Sequence, residues 1–228
     1  MSPLIIALDV DSTASALELI KKIGPAAGFY KIGMELYAAG GMPFVSEVAA
    51  SGKKVFLDLK LYDISETVKR ATRQIAKQEI ATFLTIHASR SLMQAAVEGR
   101  GDSATKLLAV TVLTSFSQDD LADLGHSLPL SELVELRVKK AVESRMDGII
   151  CSPLEVARVR RIAGPETLLV TPGVRSAGSA KGDQKRVATP AEAIASGADY
   201  LVIGRQVTRA DDPRAACEKI LDEISTAV

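Results

Sequence analysis

The sequence has no surplus charge of either sign: 28 Lys and Arg balance 28 Asp and Glu. Nucleic-acid binding normally rests on a basic excess that neutralises phosphates, so the balance argues against a polyanion as the main partner, and a basic membrane-surface helix loses support too. No apolar stretch approaches the roughly 18 residues that a membrane span needs. The opening run is short, has no basic residues before it and is interrupted by Asp9 and Asp11, so neither a signal peptide nor an anchor is expected. Cysteine is scarce. Cys151 and Cys217 lie far apart without ligand spacing, and they read as small buried hydrophobes in a reducing cytoplasm rather than a disulfide or zinc ligands. The two histidines, His87 and His126, form no HxH or HExxH set, and neither pairs with a serine or cysteine in a nucleophile elbow. Triad hydrolysis and a dedicated metal site are therefore not expected. Glycine (16) and proline (9) fall far below low-complexity levels, and 47% hydrophobic with 25% charged residues is the composition of an ordinary globule.

Against that background, short β-rich apolar runs alternate with helical periodicity. The strands are expected at 4–9, 28–33, 54–60, 81–87, 106–113, 147–151, 167–171 and 199–203. Helices are expected at 13–23 behind Asp11-Ser12, at 64–79 behind Asp63, and at 132–144 behind Ser131. Eight strand-plus-helix units of about 28 residues suit right-handed parallel crossovers closed into a ring. The fold class is therefore α/β, a single-domain (β/α)8 TIM barrel over 1–228. A doubly wound open sheet is the competitor, disfavoured by the count of eight and by the lack of GxGxxG after the first strand. The irregular stretches 114–130 and 173–188 follow strands and so fall on the face where barrels keep their chemistry.

Strand parity locates the charge. In 55–61, Val55, Leu57, Leu59 and Leu61 share one face, while Phe56, Asp58 and Lys60 share the other. The same parity groups Ile5, Ala7 and Asp9 on strand 1 and Phe29 with Lys31 on strand 2. Asp9, Lys31, Asp58 and Lys60 thus point inward at the carboxyl ends of neighbouring strands, with Asp63 just beyond. A structural ion-pair plug is one account of them. A poised proton donor, a lysine held between carboxylates, is the other.

A second constellation follows strand 8, where Gly204 and Arg205 open a helix expected to run to about Ala227. Such a start holds phosphate well, although a tight turn with a solvated arginine has the same sequence. Residues 172–188 carry Arg175, Lys181, Lys185 and Arg186 against Asp183, with glycines at 173, 178 and 182. They read either as a lid over an anionic ligand or as an ordinary surface loop. His87, at the end of strand 4, reads as a structural histidine.

Taken in order, these residues resemble the orotidine 5′-phosphate decarboxylase family in its compact bacterial form. The carriers are Leu8-Asp9, Tyr30-Lys31-Ile32-Gly33, the stretch from Phe56 to Ile64 with Thr67, and Leu113-Thr114-Ser115. Thr171-Pro172-Gly173-Val174-Arg175, Gly182-Asp183-Gln184 and Val202-Ile203-Gly204-Arg205 complete them. The D-x-K-x-x-D-I-x-x-T element at Asp58 to Thr67 is the most specific. Related sugar-phosphate decarboxylases and hexulose-phosphate synthases share the D-x-K-x-x-D core but carry a metal-binding glutamate where this chain has Lys31, and a lysine there repels Mg²⁺. Three departures stand out: Ser65 where proline is usual, Arg90-Ser91 in place of glycines, and Gln206 where proline is common.

The resemblance implies conversion of orotidine 5′-monophosphate to uridine 5′-monophosphate and CO₂ in pyrimidine synthesis, with no cofactor and no metal, by a cytoplasmic homodimer with shared sites. It implies Lys60 as proton donor, Asp58 against the substrate carboxylate, and Lys31 and Asp63 completing the charged array. Asp63, Ile64 and Thr67 are implied to reach the other subunit. Asp9 and Lys31 are implied to bind the ribose hydroxyls, and Thr114 and Ser115 the pyrimidine edge. Gln184, Gly204 and Arg205 are implied at the phosphate, with Arg175 nearby and Pro172 also at the substrate. A barrel that has lost catalysis and serves as a sensor is the non-enzymatic alternative, and it predicts a broken array.

Overall fold

A computed structural model describes residues 2–176 and 188–226. Its strands are β1 (Leu4–Ala7), β2 (Phe29–Gly33), β3 (Lys54–Leu61), β4 (Ala81–His87), β5 (Lys106–Val110), β6 (Gly148–Ile150), β7 (Leu168–Pro172) and β8 (Tyr200–Ile203). They pair in sequence order, and β8 returns to β1 to close the barrel. All of these pairings are parallel. The expected TIM barrel is the observed fold, and the open-sheet competitor falls because β8 and β1 share a ladder.

The first helices are α1 (Thr13–Ile23), α2 (Met34–Ala50), α3 (Ser65–Ala76), α4 (Arg90–Arg100) and α5 (Gln118–Asp123). They are followed by α6 (Leu130–Glu143), α7 (Val156–Ala163), α8 (Pro190–Ala195), α9 (Arg205–Thr208) and α10 (Pro213–Ser225). Helix α1 begins where expected, with the Ser12 side chain accepting the Ser15 N–H. Helix α3 is capped at Ile64 rather than Asp63, and α6 starts at Leu130 behind Pro129, ahead of the expected Ser131. The single helix expected from Gly204 to Ala227 is two. Pro213 bars its predecessor from helical geometry, and Asp212 instead caps α10 by accepting the Ala215 N–H at 3.0 Å. No helix of the described residues is long and apolar enough to cross a membrane.

Parity separates two apolar layers. Val55 and Leu57 pack outward under the helices, whereas Ile5, Ala7, Phe29, Phe56, Phe83, Leu108, Val170 and Val202 fill the barrel interior. Three aromatics form its floor, with ring centroids 5.0 Å apart for Phe29–Phe83 and 5.8 Å for Phe56–Phe83. Cys151 and Cys217 are buried and form no disulfide.

The amino-terminal end of the barrel is sewn by carboxylates. Asp147, just before β6, accepts the Leu107 N–H at 2.9 Å and pairs with Arg100 at 2.5 Å. Asp199, just before β8, accepts the Leu169 N–H and pairs with Arg160, each at 2.6 Å. These pairs satisfy donors at strand starts that the ladder leaves open.

Candidate active site

Stepping two residues along β2, β3 and β4 from the aromatic floor reaches the next inward positions: Lys31 above Phe29, Asp58 above Phe56 and Thr85 above Phe83. The barrel changes there from apolar to polar. Lys31 Nζ lies 3.1 Å from Asp9 Oδ1 and 3.6 Å from Asp58 Oδ2. Lys60 Nζ donates to the same Asp58 oxygen at 2.9 Å. One carboxylate therefore stands between two ammoniums. Burial alone would draw these charges toward neutrality, but Asp58 and Asp9 outweigh it and hold Lys31 above the ordinary lysine range. By the same balance, Lys31 and Lys60 hold the buried Asp58 carboxyl below the ordinary carboxylate range, with hydrogen bonds from Lys60 and Thr85 adding to the effect.

The backbone of β3 is bent to make this meeting. Between the Leu57–Leu84 and Leu61–Ile86 pairs the register slips, so that β3 advances four residues while β4 advances two. Lys60 sits inside this bulge with φ of 47°, a left-handed conformation that costs a non-glycine residue about 1 kcal/mol or more. Bulges re-aim side chains, and this one turns Lys60 into the barrel mouth.

The mouth opens into a cavity of about 620 Å³, within the range of small-ligand sites. Of the residues expected at the site, Asp9, Lys31, Asp58, Lys60, Thr114, Ser115, Pro172, Arg175, Gly204 and Arg205 line it. Asp9 stands two residues past the end of β1 and is half exposed, so it meets Lys31 from the rim rather than from within the strand. Gln184 lies outside the described residues, as do Lys181, Asp183, Lys185 and Arg186. Asp63, Ile64 and Thr67 are exposed and do not line the cavity of their own chain. Asp63 Oδ1 instead accepts the neighbouring Ile64 N–H at 2.6 Å.

The opposite rim is cationic. Arg175, Arg205 and Arg209 all line it, and burial together with the nearby charge of Arg205 pulls Arg175 below the ordinary arginine range. Gathering like charges beside a cavity costs energy that a bound anion relieves. Because α9 has four residues, its dipole is weak, and the guanidiniums are the groups on this rim best suited to hold an anion. Gln206, one of the departures from the family pattern, ties this rim to the loop after β7. It accepts the Ser176 N–H at 3.1 Å and donates to Ser176 Oγ at 2.5 Å.

Two of these groups escaped sequence reasoning. Arg209 follows Arg205 by four residues, the spacing of one helix face. Thr85 occupies the same parity position after Phe83 that Asp58 occupies after Phe56. His87 packs edge-on against Tyr62, with centroids 5.2 Å apart. Burial, with Arg137 and Lys60 nearby, holds its imidazolium pKa below the ordinary histidine value.

The comparisons with known proteins agree with this fold. Residues 2–220 match the profile of the Orotidine 5′-phosphate decarboxylase / HUMPS family. An orotidine 5′-phosphate decarboxylase of Rhodopseudomonas palustris (strain BisB5) is 53% identical over 224 residues, covering 98% of this chain and 95% of the relative. That of Methylorubrum extorquens (strain PA1) is 51% identical, covering 98% and 96%. Among solved structures, the orotidine 5′-phosphate decarboxylase from Lactobacillus acidophilus superposes with a TM-score of 0.87 at 38% identity, covering 98% of this chain and 99% of that one. With its barrel, its charged mouth and a match over nearly its whole length, this chain belongs to the orotidine 5′-phosphate decarboxylase / HUMPS family.

Proposed function

We propose that this protein decarboxylates orotidine 5′-monophosphate to uridine 5′-monophosphate and CO₂ without metal or organic cofactor. The observation that carries the reading is Asp58 Oδ2 shared by Lys60 Nζ at 2.9 Å and Lys31 Nζ at 3.6 Å. The names of the relatives support the substrate. The lysine at position 31 supports the decarboxylase over the metal-dependent sugar-phosphate chemistry, because an ammonium in the mouth repels a divalent cation.

Breaking the bond to CO₂ leaves an electron pair in the plane of the pyrimidine ring, where the π system cannot take it up. Stabilisation has to come from a charge held in that plane. Lys60 supplies it. Its ammonium faces the developing carbanion and delivers a proton from Nζ as the carbon–carbon bond breaks; the bond's electrons become the new C–H bond, and the carboxylate leaves as CO₂. Solvent reprotonates the amine. Asp58, kept ionised by its two lysines, opposes the substrate carboxylate, and that repulsion is relieved as CO₂ departs. Lys31 keeps Asp58 and Asp9 in place and, with Asp9, takes the ribose hydroxyls.

Thr114 and Ser115 meet the pyrimidine edge, Pro172 forms a wall of the site, and Gly204, Arg205, Arg175 and Gln184 hold the phosphate. The phosphate is remote from the reacting carbon, so its binding energy can be spent on assembling the charged site. The active species is a homodimer in which Asp63, Ile64 and Thr67 complete the partner's site. Support comes from their position outside their own cavity, and from Tyr62 (74% exposed) and Ile64 (72% exposed) flanking Asp63, apolar surface that a second copy would cover.

The test is to follow orotidine 5′-monophosphate by ultraviolet absorbance with a chelator present. Loss of substrate at an undiminished rate is expected. Turnover that appears only when Mg²⁺ is added would overturn the metal-free reading.

A further inference from the structure

Thr85 holds a place that neither the charged array nor the cavity lining includes. It is fully buried, one strand away from the reacting lysine, and its hydroxyl makes two bonds of opposite sense. Thr85 Oγ1 accepts the backbone N–H of Lys60 at 2.9 Å and donates to Asp58 Oδ1 at 3.0 Å. Both partners belong to the β3 bulge. The slip in register between β3 and β4 takes Lys60 out of the regular ladder, so its N–H needs an acceptor that β4's backbone does not provide. The Thr85 side chain is that acceptor, and it stands beside a residue whose φ of 47° is held against its own preference. Its hydroxyl hydrogen occupies the Asp58 oxygen that the lysines leave open, since both ammoniums point at Oδ2. A single hydroxyl therefore fixes the backbone from which Lys60 projects and the orientation of the carboxylate against which it rests.

We infer that Thr85 is a positioning residue for the decarboxylation, whose hydroxyl clamps the β3 bulge so that Lys60 and Asp58 keep their mutual geometry. The inference rests on the roles given above to Lys60 and Asp58. A methyl group in place of the hydroxyl leaves the Lys60 N–H unpaired and lets Asp58 rotate, while the cavity lining that binds substrate stays as it was. The loss should therefore fall on kcat rather than KM. The Asp58 carboxyl also loses a hydrogen bond that favours its charged form, so the acid limb of kcat should move to higher pH.

The experiment compares wild type, Thr85→Val, Thr85→Ala and Thr85→Ser in chelator, with kcat, KM and the pH profile of kcat measured for each and the fold checked by circular dichroism. Thr85→Val and Thr85→Ala are expected to lose kcat on the order of 100-fold, the scale of a misplacement near 1 Å, with KM little changed and the acid limb raised. Thr85→Ser keeps the hydroxyl and is expected to recover most of the rate and the wild-type limb. Wild-type kcat and limb in a folded hydroxyl-free variant would overturn the positioning role. So would a folded Thr85→Ser that loses kcat on the order of 100-fold relative to wild type, a comparison that stands even if Thr85→Val and Thr85→Ala fail to fold. A wild-type enzyme that leaves orotidine 5′-monophosphate intact would instead overturn the functional reading beneath it.

Discussion

Lys60 Nζ and Asp58 Oδ2 are 2.9 Å apart, although their residues are i and i+2 on one strand, where a regular pleat separates same-face neighbours by about 7 Å. The β3 bulge and the length of the lysine side chain close the gap. Lys31, reaching across from β2 to the same oxygen, makes the carboxylate a hinge between two cations. Lys60, the proposed proton donor, is thus held by a neighbour two residues away, on a segment braced by β4.

This arrangement fixes the pH behaviour. Asp58 is held below the ordinary carboxyl value of about 3.9 and Lys31 above the ordinary lysine value of about 10.4. The contribution of Asp58 to stability is present above about pH 3.9 and is lost only as pH falls through its lower folded value. That of Lys31 is present below about pH 10.4 and is lost as pH rises through its higher folded value. His87, held below its ordinary value of about 6.5, is neutral at pH 7. A kcat profile flat between about pH 6.5 and pH 9 is expected. An inflection in that range that disappears in His87→Asn would contradict the assignment of His87 as a neutral structural group.

The cationic rim makes a separate claim. Arg205→Ala removes a charge-assisted grip on the phosphate, so kcat/KM for orotidine 5′-monophosphate should fall on the order of 100-fold or more. The bare nucleoside has no phosphate to lose, and its already slow turnover should change little. Equal losses on both substrates would reject the assignment.

Shared sites predict complementation. In the proposed homodimer, Asp63→Asn and Lys60→Ala should each disable every site of their own dimer. A mixed dimer keeps one site with an intact Lys60 from one subunit and an intact Asp63 from the other. Unfolding and refolding equal amounts together should restore about a quarter of wild-type activity if subunits pair at random. No recovery in demonstrably mixed dimers would argue that each subunit supplies a whole site.

The sequence carried most of this because strand parity is a strict rule. Phe56 and Asp58 alternate with Val55 and Leu57, and Phe56 faces the interior while Val55 and Leu57 pack into the outer layer as the pleat requires, whereas Lys60 reaches the mouth through the bulge. Thr85 obeys the same parity, yet threonine is so ordinary on a strand that nothing marked it until the bulge opposite was visible. The bulge itself leaves no trace in composition, since Lys60 is an unexpected residue for a left-handed backbone. The break before α10 was legible in Pro213 but was overridden by the helical periodicity around it. Arg209 drops out of view for a related reason, because one more guanidinium in a helical stretch reads as a solvated face until the cavity is seen beside it.

The carboxylates that sew the strand starts lie at the end of the barrel opposite the proposed site. Asp199 accepts the N–H of buried Leu169 and pairs with Arg160. Asp199→Ala leaves that N–H without its acceptor, at a cost of about 1–3 kcal/mol. Urea denaturation should show a lower midpoint while kcat at 25 °C stays at the wild-type value. A matching loss of kcat in the folded variant would contradict the separation.

The Lys60 ammonium is proposed to give its proton to the carbon that loses CO₂, and Lys60→Ala removes that proton. With the fold verified by circular dichroism and orotidine 5′-monophosphate saturating in chelator, turnover should fall by at least on the order of 10⁴-fold. A folded Lys60→Ala that keeps a substantial fraction of the wild-type rate would contradict it.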